Sequence, residues 1–462
     1  MLPTVTFDDR RVRLGVLVVV VGLGGGLVGA AYLAALDLVR HLLGPGRWSD
    51  GAHLAILVAI GLSVTVLSKV LGTPGDVELL VDNIHVEGGR DDVRSLRSLI
   101  PISLLCVGAG GPLGPEAPLV TTTGTLASWL GVRGRLDRRD LRIVAITGMA
   151  AGFTVLFAAP LGSAVFALEI LHRRGLEYYE ALLPAAVGSL CGYAVSITVA
   201  GAGLEPIWHL PAPAHLHAID LLLAVGAGIV GALVAIAFTY ACIGLRAVAD
   251  RLPRGSQPAI GGALLGLLAI ASPYALTNGE VQLDHLSVGR VAALTFLVAA
   301  VAKLVAAAIA MATGWRGGFI IPLFFIGFCL GRAADGHLGA GNTWVLATAL
   351  MVACNVGVTK TPLGSTLVVT EMSGAALLPT TLIAALVSLA LTSQVGLIHS
   401  QQRRYTGVPA ADEDLRTEES VPPPDAGVRS GPADPHLLAD EGPHVEIAGE
   451  AAGDERPGTD PE

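Results

Sequence analysis

The sequence predicts an all-α polytopic membrane protein built as an inverted repeat with broken, tilted helices. Three observations predict it. Charged residues make up only 15% of the 462, against about 25% in a soluble domain, and mean hydropathy is +0.65. Several apolar runs are long enough to cross a bilayer, and two stretches rich in glycine and proline recur in the same order in both halves.

The long runs are 14–39, 53–72, 217–247, 290–312 and 375–398. Each suits a helix through a hydrocarbon core of about 30 Å, which takes about 20 residues. The stretches 98–131, 143–171 and 317–332 are apolar but interrupted by Gly or Pro. The first run is too long for a signal peptide and is expected to be the first membrane helix. Residues 1–13 form a cytoplasmic N-terminal segment, 14–405 the transmembrane domain, and 406–462 a tail. From Tyr405 onward there are 15 acidic and 3 basic residues, so the net charge of −9 belongs to the tail and not to the membrane body. With Pro422-Pro423-Pro424 and few large apolar residues, the tail cannot bury enough surface to fold alone and is expected to be disordered, acidic and cytoplasmic. Arg10, Arg11 and Arg13 precede the first helix and Arg403 and Arg404 follow the last. The positive-inside rule then puts both termini in the cytoplasm of a cell-membrane protein. The five cysteines lie in apolar stretches without metal-ligand spacing, so no metal is expected.

The repeat is legible in its motifs. AAPLGSAVFALEI (158–170) matches KTPLGSTLVVTEM (360–372), each with a glutamate nine residues after the proline, Glu169 and Glu371. Upstream stand GAGGPLGPEAPLV (108–120) and GWRGGFIIPLFF (314–325), at spacings of 42 and 40 residues from Pro118 to Pro160 and from Pro322 to Pro362. Repeats of about 14–201 and 217–398 follow. Duplicated transporters bind at the midplane, where discontinuous helices meet. Broken backbone survives at that depth only inside protein or beside a water-filled cavity.

In GPLGPEAP, Pro115 and Pro118 suit a first helical turn, so a helix is expected to begin near Glu116. A helix N-terminus offers unpaired N–H groups and partial positive charge to an anion. A carboxylate there can occupy the place a permeant anion would use, and protonation or a swing of its side chain would vacate it. A capping glutamate without a transport role is the structural alternative; charged groups within membrane segments are usually functional because burying them is expensive.

GPEAP at 114–118 resembles the G-x-E-x-P motif of the CLC family of chloride channels and chloride/proton antiporters. GGFIIP at 317–322 is similar to that family's G-x-F-x-P region with the aromatic displaced by one position, and the two proline-to-glutamate segments match its paired helices. The matches span roughly 70–405. The resemblance implies a CLC-type inverted repeat and a homodimer with one pore per subunit. It also implies chloride or a similar small anion as the permeant species. Glu116 then corresponds to the gate, with Gly114, Pro115 and Ala117 around it, and Gly318, Phe319 and Ile320 correspond to the amide donors of the second helix terminus. Gly72 or Thr73, in Leu-Gly-Thr-Pro-Gly, takes the position of the family's ion-touching serine. Ile170 stands where antiporters carry an inner proton-accepting glutamate, which favours a passive channel. A chloride/proton antiporter, or a fluoride-type member, is the alternative. Glu169 is expected to brace neighbouring helices, and His399 is the better placed counterpart of the family's pore tyrosine, with a surface histidine as the plain reading.

Two other classes are weighed. An unrelated inverted-repeat secondary transporter for cations or solutes would need clustered intramembrane acids, which the membrane body lacks. An enzyme would need a nucleophile–base pair, a metal motif or a phosphate loop, and none is present. No cofactor and no nucleic acid is implied. The three lysines, Lys69, Lys303 and Lys360, either enrich anions or sit at helix ends.

Overall fold

A computed structural model describes residues 9–75, 81, 83–85, 89–172, 178–199, 208, 210, 215–253, 255–288, 291–338 and 343–398. Fifteen α-helices are found among the described residues. The first half holds α1 (Asp9–Leu43), α2 (Asp50–Leu71), α3 (Leu96–Gly108), α4 (Glu116–Arg133), α5 (Arg138–Phe157), α6 (Pro160–Glu169) and α7 (Leu182–Val199). The second holds α8 (Ala218–Ala249), α9 (Gln257–Ala271), α10 (Glu280–Val288), α11 (Ala293–Ala312), α12 (Ile320–Leu338), α13 (Thr343–Thr359), α14 (Pro362–Ser373) and α15 (Leu378–Thr392). Among the described residues, seven helical segments are long and apolar enough to span a membrane. The long run expected at 290–312 is α11, and that at 375–398 stops being helical at Thr392. Of the apolar stretches read as interrupted, 98–131 breaks between Gly108 and Glu116 and 143–171 between Phe157 and Pro160, whereas 317–332 is continuous helix from Ile320.

The repeat extends to backbone conformation. Helix α1 packs on α5 and α7, and α8 packs on α13 and α15 in the same pattern. Where α3 and α11 end, Gly110 and Gly314 have φ of 98° and 83°, a left-handed C-terminal turn that suits glycine. One residue further, Gly111 N–H donates to the Cys106 carbonyl and Trp315 N–H to the Ala310 carbonyl, each at 3.0 Å. Ala158 and Lys360, two residues before the prolines that open α6 and α14, both adopt positive φ, 51° and 64°. Non-glycine residues rarely hold that conformation, so its recurrence marks the same helix–turn–helix built twice.

Helix α5 lies at the centre of the first half and is almost wholly buried. Its side chains are small along one edge, which lets α4 approach closely, as small residues do between membrane helices. Two buried threonines of α4 satisfy their hydroxyls within the helix, while that of Thr121 has no partner: Thr122 donates to the Pro118 carbonyl at 2.7 Å and Thr123 to that of Leu119 at 3.1 Å. Asp137 caps α5 by accepting from Asp140 N–H at 2.8 Å. Arg10, from the start of α1, pairs with Asp137 at 2.5 Å and Asp140 at 2.9 Å. The start of α1, the end of α4 and the start of α5 therefore share one arginine-rich end of the molecule.

Candidate functional site

The two glycine- and proline-rich breaks meet. Gly114 N–H donates to the Gly318 carbonyl at 2.7 Å, and Gly318 N–H returns a bond to the Gly114 carbonyl at 2.6 Å. This reciprocal pair holds the start of α4 against the start of α12, one from each half. A side chain at either position is excluded: a methyl group on Gly114 would overlap Oε2 of Glu116, and one on Gly318 would lie 2.7 Å from the same oxygen.

Glu116 opens α4 but serves the other half. Its carboxylate Oε1 accepts from Ile321 N–H, in the first turn of α12, at 2.6 Å. The residue is fully buried, and Oε2 has no hydrogen-bond partner. A buried acceptor left unmatched carries a desolvation penalty of about 1–3 kcal/mol. One oxygen thus sits on the partial positive charge of a helix N-terminus, and the other lies between the two glycines with no donor.

Beside this junction is a cavity of about 240 Å³, room for on the order of eight waters at about 30 Å³ each. Ala117, Gly318, Phe319 and Ile320 line it, as does Ile170 from the turn after α6. Those five expected positions are therefore together. Gly114 and Pro115 are buried in the loop behind it. Gly72 and Thr73 are not at the wall: they lie exposed at the end of α2, where Gly72 turns the chain with φ of 98°, and it is Gly75 that lines the cavity. His399 lies outside the described residues, as does the tail.

Sequence reasoning missed the two positive charges of the cavity, Arg246 and Arg316. Arg316 sits in the Gly-Trp-Arg-Gly-Gly break itself, and this basic residue inside a broken apolar stretch was the available signal. Arg246 pairs with Asp250 at 3.1 Å. The lysines have other surroundings. Lys303 Nζ donates to the carbonyls of Leu276 and Thr277 at 2.6 and 2.5 Å, and Lys360 Nζ to those of Gly357 and Thr392 at 2.5 and 2.7 Å. Both are buried, and neither lines the cavity.

Glu169 does brace helices. It accepts from Leu363 and Gly364 N–H, at 3.1 and 2.6 Å, at the start of α14. Glu371 returns the contact, accepting from Gly162 N–H at 2.6 Å and Leu161 N–H at 3.4 Å at the start of α6. No group of three or more His, Cys, Asp or Glu suited to a metal is found among the described residues.

The family model described as voltage gated chloride channel matches residues 76–393. A chloride/fluoride channel protein of Pseudomonas syringae pv. tomato is 28% identical over 402 residues, 83% of this chain and 84% of the relative. A solved CLC-type fluoride/proton antiporter superposes with a TM-score of 0.73 at 22% identity, over 87% of this chain and 100% of its own. A slow cyanobacterial Cl⁻/H⁺ antiporter gives 0.73 at 19% identity, over 88% and 98%. With its paired helix termini, its crossed glutamates and a family match over most of its length, the chain belongs to the CLC family of voltage gated chloride channels and their relatives.

Proposed function

We propose that the protein moves chloride or a similar small anion, fluoride included, through a pore in each subunit that Glu116 gates. The observation that carries this reading is the seat of its carboxylate on the Ile321 amide. A helix N-terminus attracts any anion, so carboxylate and permeant ion compete for one place. Arg316 raises the local anion concentration in the cavity beside this junction, while the charge of Arg246 is largely met by Asp250. Gly318, Phe319 and Ile320 present main chain to an anion that replaces the carboxylate, and Gly75 does so from the other wall.

A second reading, exchange of the anion for protons, is favoured by the unmatched Oε2. A proton on the carboxyl removes the charge that binds Ile321, and lets the side chain leave. The passive channel expected from Ile170 rests on that one residue. The solved relatives described as proton antiporters agree with exchange, while the Pseudomonas relative carries the name of a channel. The arginine-rich end, with Arg10, Arg138 and Arg139, supports a cytoplasmic N-terminus in a cell membrane. The family resemblance implies a homodimer with one such pore in each subunit.

The test is reconstitution. Liposomes loaded with chloride or fluoride should release it when a potassium ionophore shunts the voltage, and release no greater than from empty liposomes would sink the proposal. Recording external pH in the same vesicles separates exchange from passive flow.

A further inference from the structure

The arginine-rich end holds a second cavity, which the Glu116 junction does not use. Its volume is about 360 Å³. Arg10 and Arg13 line it from the start of α1, Arg135 and Leu136 from the turn after α4, and Asp137 and Asp140 from the start of α5. The charges are not equally committed. Both acids accept from the one Arg10 guanidinium, Asp137 at 2.5 Å and Asp140 at 2.9 Å. The Arg13 guanidinium donates to the Gly134 carbonyl, and Arg13 and Arg135 are exposed. Neither pairs with an acid among the described residues. Segments 10–13 and 133–140 together carry seven arginines and two acids, so the surroundings add to the positive field.

Arg135 is held in an unusual backbone conformation. Its φ is 53°, and its N–H closes the end of α4 on the Val132 carbonyl at 3.0 Å. Glycine takes that conformation freely and is the common residue there. An arginine is strained in it, and strain of this kind collects at ligand sites.

The cavity lies at headgroup depth. Near the end of α4 the Arg133 guanidinium stands 4.3 Å from the centre of the Trp129 ring, and tryptophan and arginine at a helix end mark the membrane interface. On α1 the stripe that continues from Arg13 at helical spacing is Val16, Val20, Leu23 and Leu27, all exposed. From Arg13 to Leu27 is about 21 Å of helix, while one leaflet of the hydrocarbon core is about 15 Å deep. A phosphate at Arg13 and Arg135 therefore has an apolar track for its acyl chain directly beneath it.

We propose that this cavity binds the headgroup of an anionic glycerophospholipid, with the phosphate on Arg13 and Arg135. Guanidinium forks match phosphate oxygens in geometry as well as charge. An amine-bearing headgroup is disfavoured, because Asp137 and Asp140, the acids that would receive its ammonium, already accept from Arg10. A glycerol headgroup needs no acid. The bound lipid joins the start of α1 to the end of α4, the helix that Glu116 opens.

Full-length protein in mixed micelles, titrated with phosphatidylglycerol, phosphatidylethanolamine or phosphatidylcholine of one acyl composition, tests this by the lipid retained in native mass spectra. Phosphatidylglycerol should bind about fivefold more tightly than the other two, the attraction of one arginine to an anionic surface. Arg135→Gly and Arg13→Gln should each weaken its binding about fivefold, and together about 25-fold. Arg139→Gln removes an arginine of the same end that lies outside the cavity and pairs with Glu180, and should stay within about twofold of wild type. Glycine suits the backbone at 135, so Arg135→Gly should melt no lower than wild type in phosphatidylcholine, which separates lost binding from lost folding. Equal losses in Arg139→Gln and Arg135→Gly would reduce the effect to diffuse surface charge and overturn the site. Phosphatidylethanolamine bound as tightly as phosphatidylglycerol overturns the anionic assignment. Inorganic phosphate that raises the melting temperature as much as phosphatidylglycerol does overturns the lipid in favour of the free ion. If Arg13→Gln does not fold, Arg135→Gly decides alone.

Discussion

Among the described residues, three carboxylates sit on helix N-termini of the opposite half, and they divide into a pair and a single. Glu169 and Glu371 are exchanged between α6 and α14, and each engages two amides. Glu116 reaches α12 without a reciprocal glutamate, accepts from Ile321 N–H through Oε1 while Oε2 has no partner, and has Ile320 as its counterpart in the second half. Chemistry does not separate them, since all three use the same charge and the same kind of donor. Symmetry does. A reciprocal, saturated pair is a brace that nothing is gained by opening. A single, half-matched carboxylate between glycines has a reason to leave.

The comparison breaks first at Glu116. A hydrogen bond to a charged group is worth about 1.5–3 kcal/mol, and each 1.4 kcal/mol is tenfold. Glu116→Gln should therefore raise the open fraction at neutral pH by roughly 10- to 100-fold and abolish the pH dependence of flux. In the wild type flux should rise as pH falls, because protonation weakens the bond to Ile321. A pH profile in Glu116→Gln that matches wild type would remove Glu116 from the gate. Gly114→Ala keeps the carboxylate but fills its space, and should raise basal flux in the same direction while retaining some pH response, as measured by the same efflux assay.

Glu169→Ala probes the other side. It orphans the buried Gly364 amide, at about 1–3 kcal/mol, and the part-buried Leu363 amide, and should lower the thermal stability read by size exclusion after heating. The pH dependence of anion flux in the surviving protein should stay as in wild type; a changed profile would mean that the brace and the gate are one system. Arg316→Gln should have the smallest effect, about 1 kcal/mol for a partly screened charge. It should raise the half-saturating anion concentration by roughly fivefold at low ionic strength and less at high salt.

Much of this division was legible in sequence. Proline-to-glutamate spacing announced the repeat, and Pro115 and Pro118 fixed the start of α4, because proline restricts backbone at whatever position it occupies. What a side chain reaches across a repeat interface was not legible. Glu169 and Glu371 read as equivalents, but nothing local says that each caps the other's helix. The wall at Gly75 was assigned instead to Gly72 or Thr73, since the turn leaving α2 depends on a φ of 98° at Gly72 that a motif alone does not report. Buried lysines were weighed as anion attractors because their sequence setting hides the carbonyls that hold them. Arg316 was not singled out because the glycines of its segment, Gly314, Gly317 and Gly318, read as a backbone break.

The two bonds between Gly114 and Gly318 have a consequence for how the chain can be cut. They make each half the template for the other's loop, so neither half alone can assemble the proposed ion seat. Split between α7 and α8 and produced as two polypeptides, the halves should recover a seat only as partners.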